Sequence, residues 1–521
     1  MKKINIYILS LLLVGAFSLS SCEQLLDVNE DPINPTEATE EQLLTGLQSN
    51  FSFQVIGGIP ARMAAGLTQQ TEYPVVGSYD NYFITENDVD GFWNNYSYVG
   101  VMSNCKTLSE QAIAKNKNYH AAIAKIIWAQ NMSMITDAFG SAPFSQAWQP
   151  ELYPFPAYDT QEEIYINLHR LLDEAIAHID DTNQAAEVPT TDDLIYGGDM
   201  QKWRKYAYGL KARLYMHLSN APGHDAATQS QLVLDAVAQS FQSNDDNAIY
   251  QYSSQLLQEN PWNQYAVSDR WNTFTSATNK HKSAVSRNRD IRLLLHMTKA
   301  NTNRDAFAIP REATPETVAP SDVSTNGQAY SAGTSLLGVL YADTDSPLPW
   351  LMYSEIQFLK AEALFHLGRL SESNIELTEA VRADLQFARP FLSRISKTPL
   401  DEAILANPAN IDFMIDFYLG SVETLIPNGM SANSYYIQLM QQKYIATFLS
   451  FEAYNDLRRA DTDIIAPNGS VLKDRFDYDG IALRFPYPSS EWQYNPRNVG
   501  AQNVPLGFSS MLIPVWWDSA E

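Results

Sequence analysis

Apolar residues recur every three or four positions through most of the chain, the spacing of one helical face rather than the alternation of a strand. In TQEEIYINLHRLLDEAIAHIDD the stripe is Ile164, Leu168, Leu171, Ala175 and Ile179, and Thr160 with Glu163 forms a capping box at its start. QKWRKYAYGLKARLYMHLSN repeats the pattern with Trp203, Ala207, Leu210, Leu214 and His217. His217 has no partner histidine at helical spacing, so it reads as a core-edge residue and not a metal ligand. The clearest pair begins at Tyr353: Ile356, Leu359, Ala363 and Leu367 line one helix, Gly368 suits a left-handed C-cap, and Ser373 with Glu376 opens a second helix lined by Leu377, Val381, Leu385 and Ala388. Ala361 and Ala363 allow close approach, and AEALFHLGRLSES resembles a tetratricopeptide unit. Further helices are expected over 97–115, 119–138, 226–242, 401–419 and 433–460. The fold class is therefore mostly α, a curved scaffold of helix pairs without a strict repeat.

Residues 260–346 break the pattern, being rich in Asn, Ser, Thr, Pro and Gly. A structureless stretch of that length inside a compact body is improbable, so it should carry short elements and a loop-rich binding region. It contains KHKSAVSRNRDIR, residues 280–292, a basic cluster that is either solvated loop, the simpler reading, or a contact for an anionic ligand.

The N-terminus carries a different signal. Lys2 and Lys3 precede the apolar run Ile4 to Phe17, then Leu-Ser-Ser-Cys ends at Cys22. The run is short for a permanent span, and its layout is that of a secretory signal, residues 1–21. LSSC resembles a bacterial lipobox, in which the thiol of Cys22 is acylated and becomes the new N-terminus. Buried methylenes, about 0.8 kcal/mol each, then anchor the chain to the membrane without crossing it. Residues 22–42 read as an acidic tether and 43–521 as one helical body. Cys105 is left with no partner and reads as a small buried hydrophobe.

The net charge of −25 disfavours nucleic acid and anionic headgroups as partners. Nucleophile-elbow, zinc-protease, phosphate-loop and dinucleotide patterns are not found, and neither Asp343 with Asp345 nor DYDG at 477–480 meets calcium-loop spacing. No catalytic residue, metal or cofactor is assigned.

Several segments in order carry a family likeness: the lipobox, LDVNEDPINPT, ITDAFGSAPFSQAW (135–148), KWRKYAYGLKARLYMHLS, PWLMYSEIQFLKAEALFHLG, AYNDLRRAD, LRFPYPSSEWQYNPRNV and LIPVWWD. The chain resembles the SusD/RagB family of outer-membrane nutrient-binding lipoproteins, in its SusD-like branch. The resemblance implies a surface-exposed, lipid-anchored scaffold that covers a SusC-like TonB-dependent β-barrel transporter and takes glycans or, in some members, peptides. It also implies that Trp203 and Arg213 are packing and ion-pairing residues, and it transfers no ligand residue.

Sugar rings stack their C–H faces on aromatics and need polar partners for their hydroxyls. Two stretches offer both: Tyr79, Asp80, Asn81, Tyr82, Trp93 and Asn94 in the first, and Trp262, Asn263, Tyr265, Arg270 and Trp271 in the second. The expected function is capture of an oligosaccharide and its delivery to the transporter. Peptide capture, a lipid-anchored glycosidase and a tetratricopeptide protein adaptor are the alternatives.

Overall fold

The computed structural model describes residues 38–72, 79–181, 187–266, 276–277, 290, 292–296, 337–394, 407–426, 428–460 and 480–519. Cys22 and its signal, Arg270, Trp271 and all of the basic cluster except Asp290 and residue 292 lie outside them.

The main helices are α1 Glu40–Asn50, α2 Ile59–Leu67, α3 Ser103–Ala114, α4 Asn118–Phe139, α5 Gln161–Asp180, α6 Met200–His217, α7 Ala226–Val237, α8 Pro261–Ala266, α9 Tyr353–His366, α10 Leu370–Ala388, α11 Pro408–Glu423, α12 Ala432–Ala446 and α13 Glu452–Arg459. Their contacts run in sequence: α3 on α4, α4 on α5, α5 on α6, α6 on α7, α7 on α9, α9 on α10 and α10 on α11. Each helix buries its apolar stripe against the next, which is the logic of a solenoid. Among the described residues, the strands form two short antiparallel pairs. β1 Thr71–Glu72 pairs with β3 Ser276–Ala277, and β2 Ala248–Tyr250 with β4 Leu348–Leu351. Two apolar clusters fill the interior, and Ile56 and Tyr250 pack against both.

Local signals explain most boundaries. Thr160 and Glu163 form the expected box, with Thr160 N–H donating to Glu163 Oε2 at 2.9 Å and Glu163 N–H to Thr160 Oγ1 at 3.2 Å. Gly368 takes φ +73°, and Cys105 is buried. Thr39 caps α1, so residues 40–42, assigned to the tether, are already helical.

Other boundaries differ from expectation. Ser373 does not open α10: the helix starts at Leu370, and the buried Ser373 hydroxyl donates to Ala361 O at 2.6 Å, tying α9 to α10. The segment 433–460 is two helices, interrupted where Leu449 adopts φ +63°. The helix expected to begin near 97 begins at Glu86, capped by Thr85 and Asp88, and runs through wide π-helical turns over Gly91–Met102 into α3. Arg292, at the end of the basic cluster, is no ligand contact. It is fully buried and paired with Asp290 at 2.6 Å and Asp384 at 2.7 Å.

The segments that carried the family likeness meet at a buried ionic network. Arg213 Nε and Nη2 donate to Glu355 at 2.7 and 2.9 Å. His217 Nε2 faces Glu452 Oε1 at 2.8 Å and its Nδ1 faces the Tyr165 hydroxyl at 2.9 Å, while that hydroxyl donates to Asp137 Oδ1 at 2.5 Å. Both ring nitrogens thus lie within hydrogen-bond distance of oxygens of the network. Glu362 accepts from Arg459 Nη2 at 2.9 Å, and Lys443 Nζ and Arg459 Nη2 each reach Asp456 Oδ1 at 2.7 Å. Asp137, Glu355, Glu362, Glu452 and Asp456 thus lie among the cations Arg213, Lys443, Arg458 and Arg459 and the ring of His217, all of them buried. Trp203, fully buried, packs on Tyr196, Tyr206 and Trp350, so the packing role implied for Trp203 and the ion-pairing role implied for Arg213 both hold.

Candidate functional site

α2 reads IPARMAAGL, an apolar helix interrupted by one arginine. Its C-terminal end is a Schellman turn, with Gln69 N–H donating to Gly66 O and Gln70 N–H to Ala65 O. The C′ position of such a turn favours glycine, yet here Gln69 holds φ +60°. Its side chain explains the choice: Nε2 donates to Asp80 O at 3.0 Å and to Gly66 O at 3.2 Å, binding the Tyr79–Asn81 turn to the helix. Tyr82 ends that turn at φ +59°, a second bulky residue in the left-handed region. Left-handed residues without glycine's freedom cost about 1–2 kcal/mol each and cluster where backbone position matters.

Gly66 permits the contact. A Cβ there would lie 2.9 Å from Tyr79 Cβ and 3.0 Å from Asp80 N. Gly66→Ala is expected to displace the turn and to destabilise the fold by about 1–3 kcal/mol, read from urea unfolding midpoints.

The two stretches marked in the sequence converge on Arg62. Its guanidinium carbon lies 3.6 Å from the ring centroid of Tyr265 on α8. Tyr79 and Tyr265 are both raised above the ordinary tyrosine value by burial, and the Arg62 charge opposes the rise at each. Tyr96, on the π-helical segment, lies near enough to Tyr265 to add to its rise. Arg62, Tyr79 and Tyr96 are half-buried and make a rim beside the buried Tyr265, and Asp80, also half-buried, follows Tyr79 in its turn.

The remaining sequence candidates fall elsewhere. Trp93 is a correction: it is 3 % exposed, packs edge-on against Phe139 and Tyr487, and donates from Nε1 to Glu491 Oε1 at 3.3 Å. Tyr82 and Trp262 are likewise enclosed in the apolar clusters, so neither offers a face to a sugar. Asn263 is buried and donates to Ala342 O at 2.7 Å, a structural role. Tyr265 supports Arg62 instead of stacking on ligand, because it is 4 % exposed and the guanidinium covers its ring. Asn94 is exposed, and the Asn81 side chain lies outside the described residues. Arg62 and Tyr96 were not singled out from sequence. The signal for Arg62 was present, since no acidic residue lies within one helical turn of it.

A cavity of about 80 Å³ is lined by Gln130, Asp137, Arg213, Trp262, Glu355 and Glu452 among others. Ligand pockets are several times larger, roughly 300–1,000 Å³, so this space suits a few waters serving the ionic network. Among the described residues, no group of three His, Cys, Asp or Glu is placed to hold a metal ion, and no helix is long and apolar enough to cross a membrane.

A sequential helical stack carrying a polar–aromatic rim defines a repeat-type binding scaffold. The chain belongs to the SusD-like family, described as starch-binding and associating with the outer membrane, whose family model matches residues 32–488. Solved relatives agree in fold. A SusD/RagB family protein from Bacteroides thetaiotaomicron is 25% identical with TM-score 0.73, the match covering 93% of this chain and 100% of that one. A SusD homologue from Bacteroides fragilis is 20% identical with TM-score 0.72, covering 92% and 100%. A chitin-binding SusD homologue from Flavobacterium johnsoniae is 18% identical with TM-score 0.66, covering 92% and 99%. No curated protein matches the sequence.

Proposed function

We propose that the protein is a non-catalytic lipoprotein, acylated at Cys22, that captures an oligosaccharide at the cell surface and passes it to a SusC-like TonB-dependent β-barrel transporter. The observation that carries this reading is the rim of Arg62, Tyr79 and Tyr96, held by left-handed Gln69 and Tyr82 on a helix of a starch-binding-type scaffold. A half-covered tyrosine offers a face for a sugar ring, and the guanidinium offers donors to its hydroxyls.

Calorimetry of the mature protein against a glycan panel tests the reading. Tyr79→Ala is expected to weaken binding roughly 2- to 10-fold, the value of one aromatic contact. Unchanged affinity would remove this rim, and product release on prolonged incubation would point to a glycosidase. For the anchor, Cys22→Ala is expected to abolish incorporation of labelled fatty acid and to release the protein from the membrane fraction.

A further inference from the structure

We propose that the rim selects an anionic saccharide, one whose ring bears a carboxylate or a sulfate ester, and that Arg62 is the group that recognises the negative charge. The inference rests on the glycan-binding reading above and adds the class of sugar.

The argument begins with what the other arginines do. Arg213, Arg292 and Arg459 meet carboxylates, while Arg458 and Arg484 donate to backbone carbonyls. Half-buried Arg204 and Arg382 each face carboxylates at 2.9 Å and 3.6 Å. Arg62 differs. Among the described residues it is the half-buried arginine whose guanidinium has neither a hydrogen bond nor an ion pair within the protein. Its Nε is buried without a partner, and Tyr265 covers one face of the fork.

Leaving a buried donor unpaired is unfavourable, and a protein of net charge −25 has carboxylates in excess with which to pair a cation. Here the cation is instead held in place by a ring and left open at its end. Tyrosine stacking fixes the guanidinium plane, so its two terminal nitrogens present a planar pair of donors that fits a carboxylate or sulfate. Tyr79 stands beside it to take the sugar ring, which favours a saccharide over an acidic peptide. Elsewhere the acidic surface repels such a ligand, so binding has to be local to this cation.

The test is titration of the mature protein with an oligogalacturonide, its methyl ester, a sulfated chondroitin oligosaccharide, neutral malto- and chito-oligosaccharides, and an oligoglutamate peptide. The wild type is expected to bind a charged member about 10- to 100-fold more tightly than its uncharged counterpart, with affinity falling as salt rises. Arg62→Gln is expected to erase that difference while leaving the melting temperature near wild type. Arg62→Lys, which keeps charge but loses the fork, is expected to restore only part of it. A preference for the galacturonide alone would identify the carboxylate, and for the chondroitin alone the sulfate ester. Neutral sugars bound equally well, and equally by Arg62→Gln, would overturn the proposal but leave glycan capture standing. Acidic peptides bound in place of every saccharide, or no binding by any probe, would overturn both.

Discussion

Glu362→Gln is expected to cost about 3–5 kcal/mol of folding stability, because it leaves Arg459 and Lys443 buried with only Asp456 to share. For a chain of this size that is a fall of roughly 3–5 °C in Tm, measurable by circular dichroism. The loss comes from the stranded cations rather than from the missing pair itself. Exchanging Glu362, Lys443, Asp456 and Arg459 together for apolar residues of similar volume should accordingly cost less than the single change. The pH profile gives a second readout. Burial alone would raise the Glu362 carboxyl, but Arg459 and Lys443 hold it well below the usual range. A depressed folded value stabilises the protein above the unfolded carboxylate value of about 4.3 and is lost as the solution turns more acidic. Wild-type stability should therefore fall between about pH 5 and pH 3 more steeply than that of Glu362→Gln.

Trp517→Ala should be comparably severe, about 3–5 kcal/mol, through the cavity left by a fully buried indole. The side chain does more than fill space. Its Nε1 donates to Asp137 Oδ1 at 3.0 Å, and its ring lies 4.6 Å from the Arg458 guanidinium. Burial raises the Asp137 carboxyl, and the mutation removes one of the donors to this buried group. Trp517→Phe separates the two contributions: it retains most of the packing and loses the donor, for an expected loss of about 1–3 kcal/mol. Urea unfolding of both variants would measure the difference.

The helices were legible because their determinants are local. The Thr160–Glu163 box, the α5 stripe and Gly368 each act within a few residues, and each is where the pattern placed it. Ser373 misled because a serine followed three residues later by a glutamate can equally occupy a first turn, when the preceding Gly368 has already ended the last helix. The break inside 433–460 depends on a left-handed leucine fixed by Gln70 Oε1, which accepts from Leu449 N–H at 2.7 Å across 379 positions. No window of sequence contains that contact. The same holds for the rim. Composition marked the aromatics correctly as abundant but could not tell a ring enclosed by Phe139, Tyr487 and Glu491, such as Trp93, from one left partly open, such as Tyr79. A lone cation in an apolar helix was the more informative sign, and the aromatic pattern passed over it at Arg62.

The buried ionic network also bears on how the chain reaches its native state. Neighbouring helices can zip together early from nearby segments, but Asp137 and Asn455 meet across 318 positions, and His217 and Glu452 across 235. Such high contact order slows the final closure, since long loops must be ordered before any compensating attraction appears. Unfolding faces the mirror image of this barrier: opening the core exposes several mutually dependent ions at once. Persistence in a protease-exposed setting would then be governed by a slow escape rate as much as by equilibrium depth.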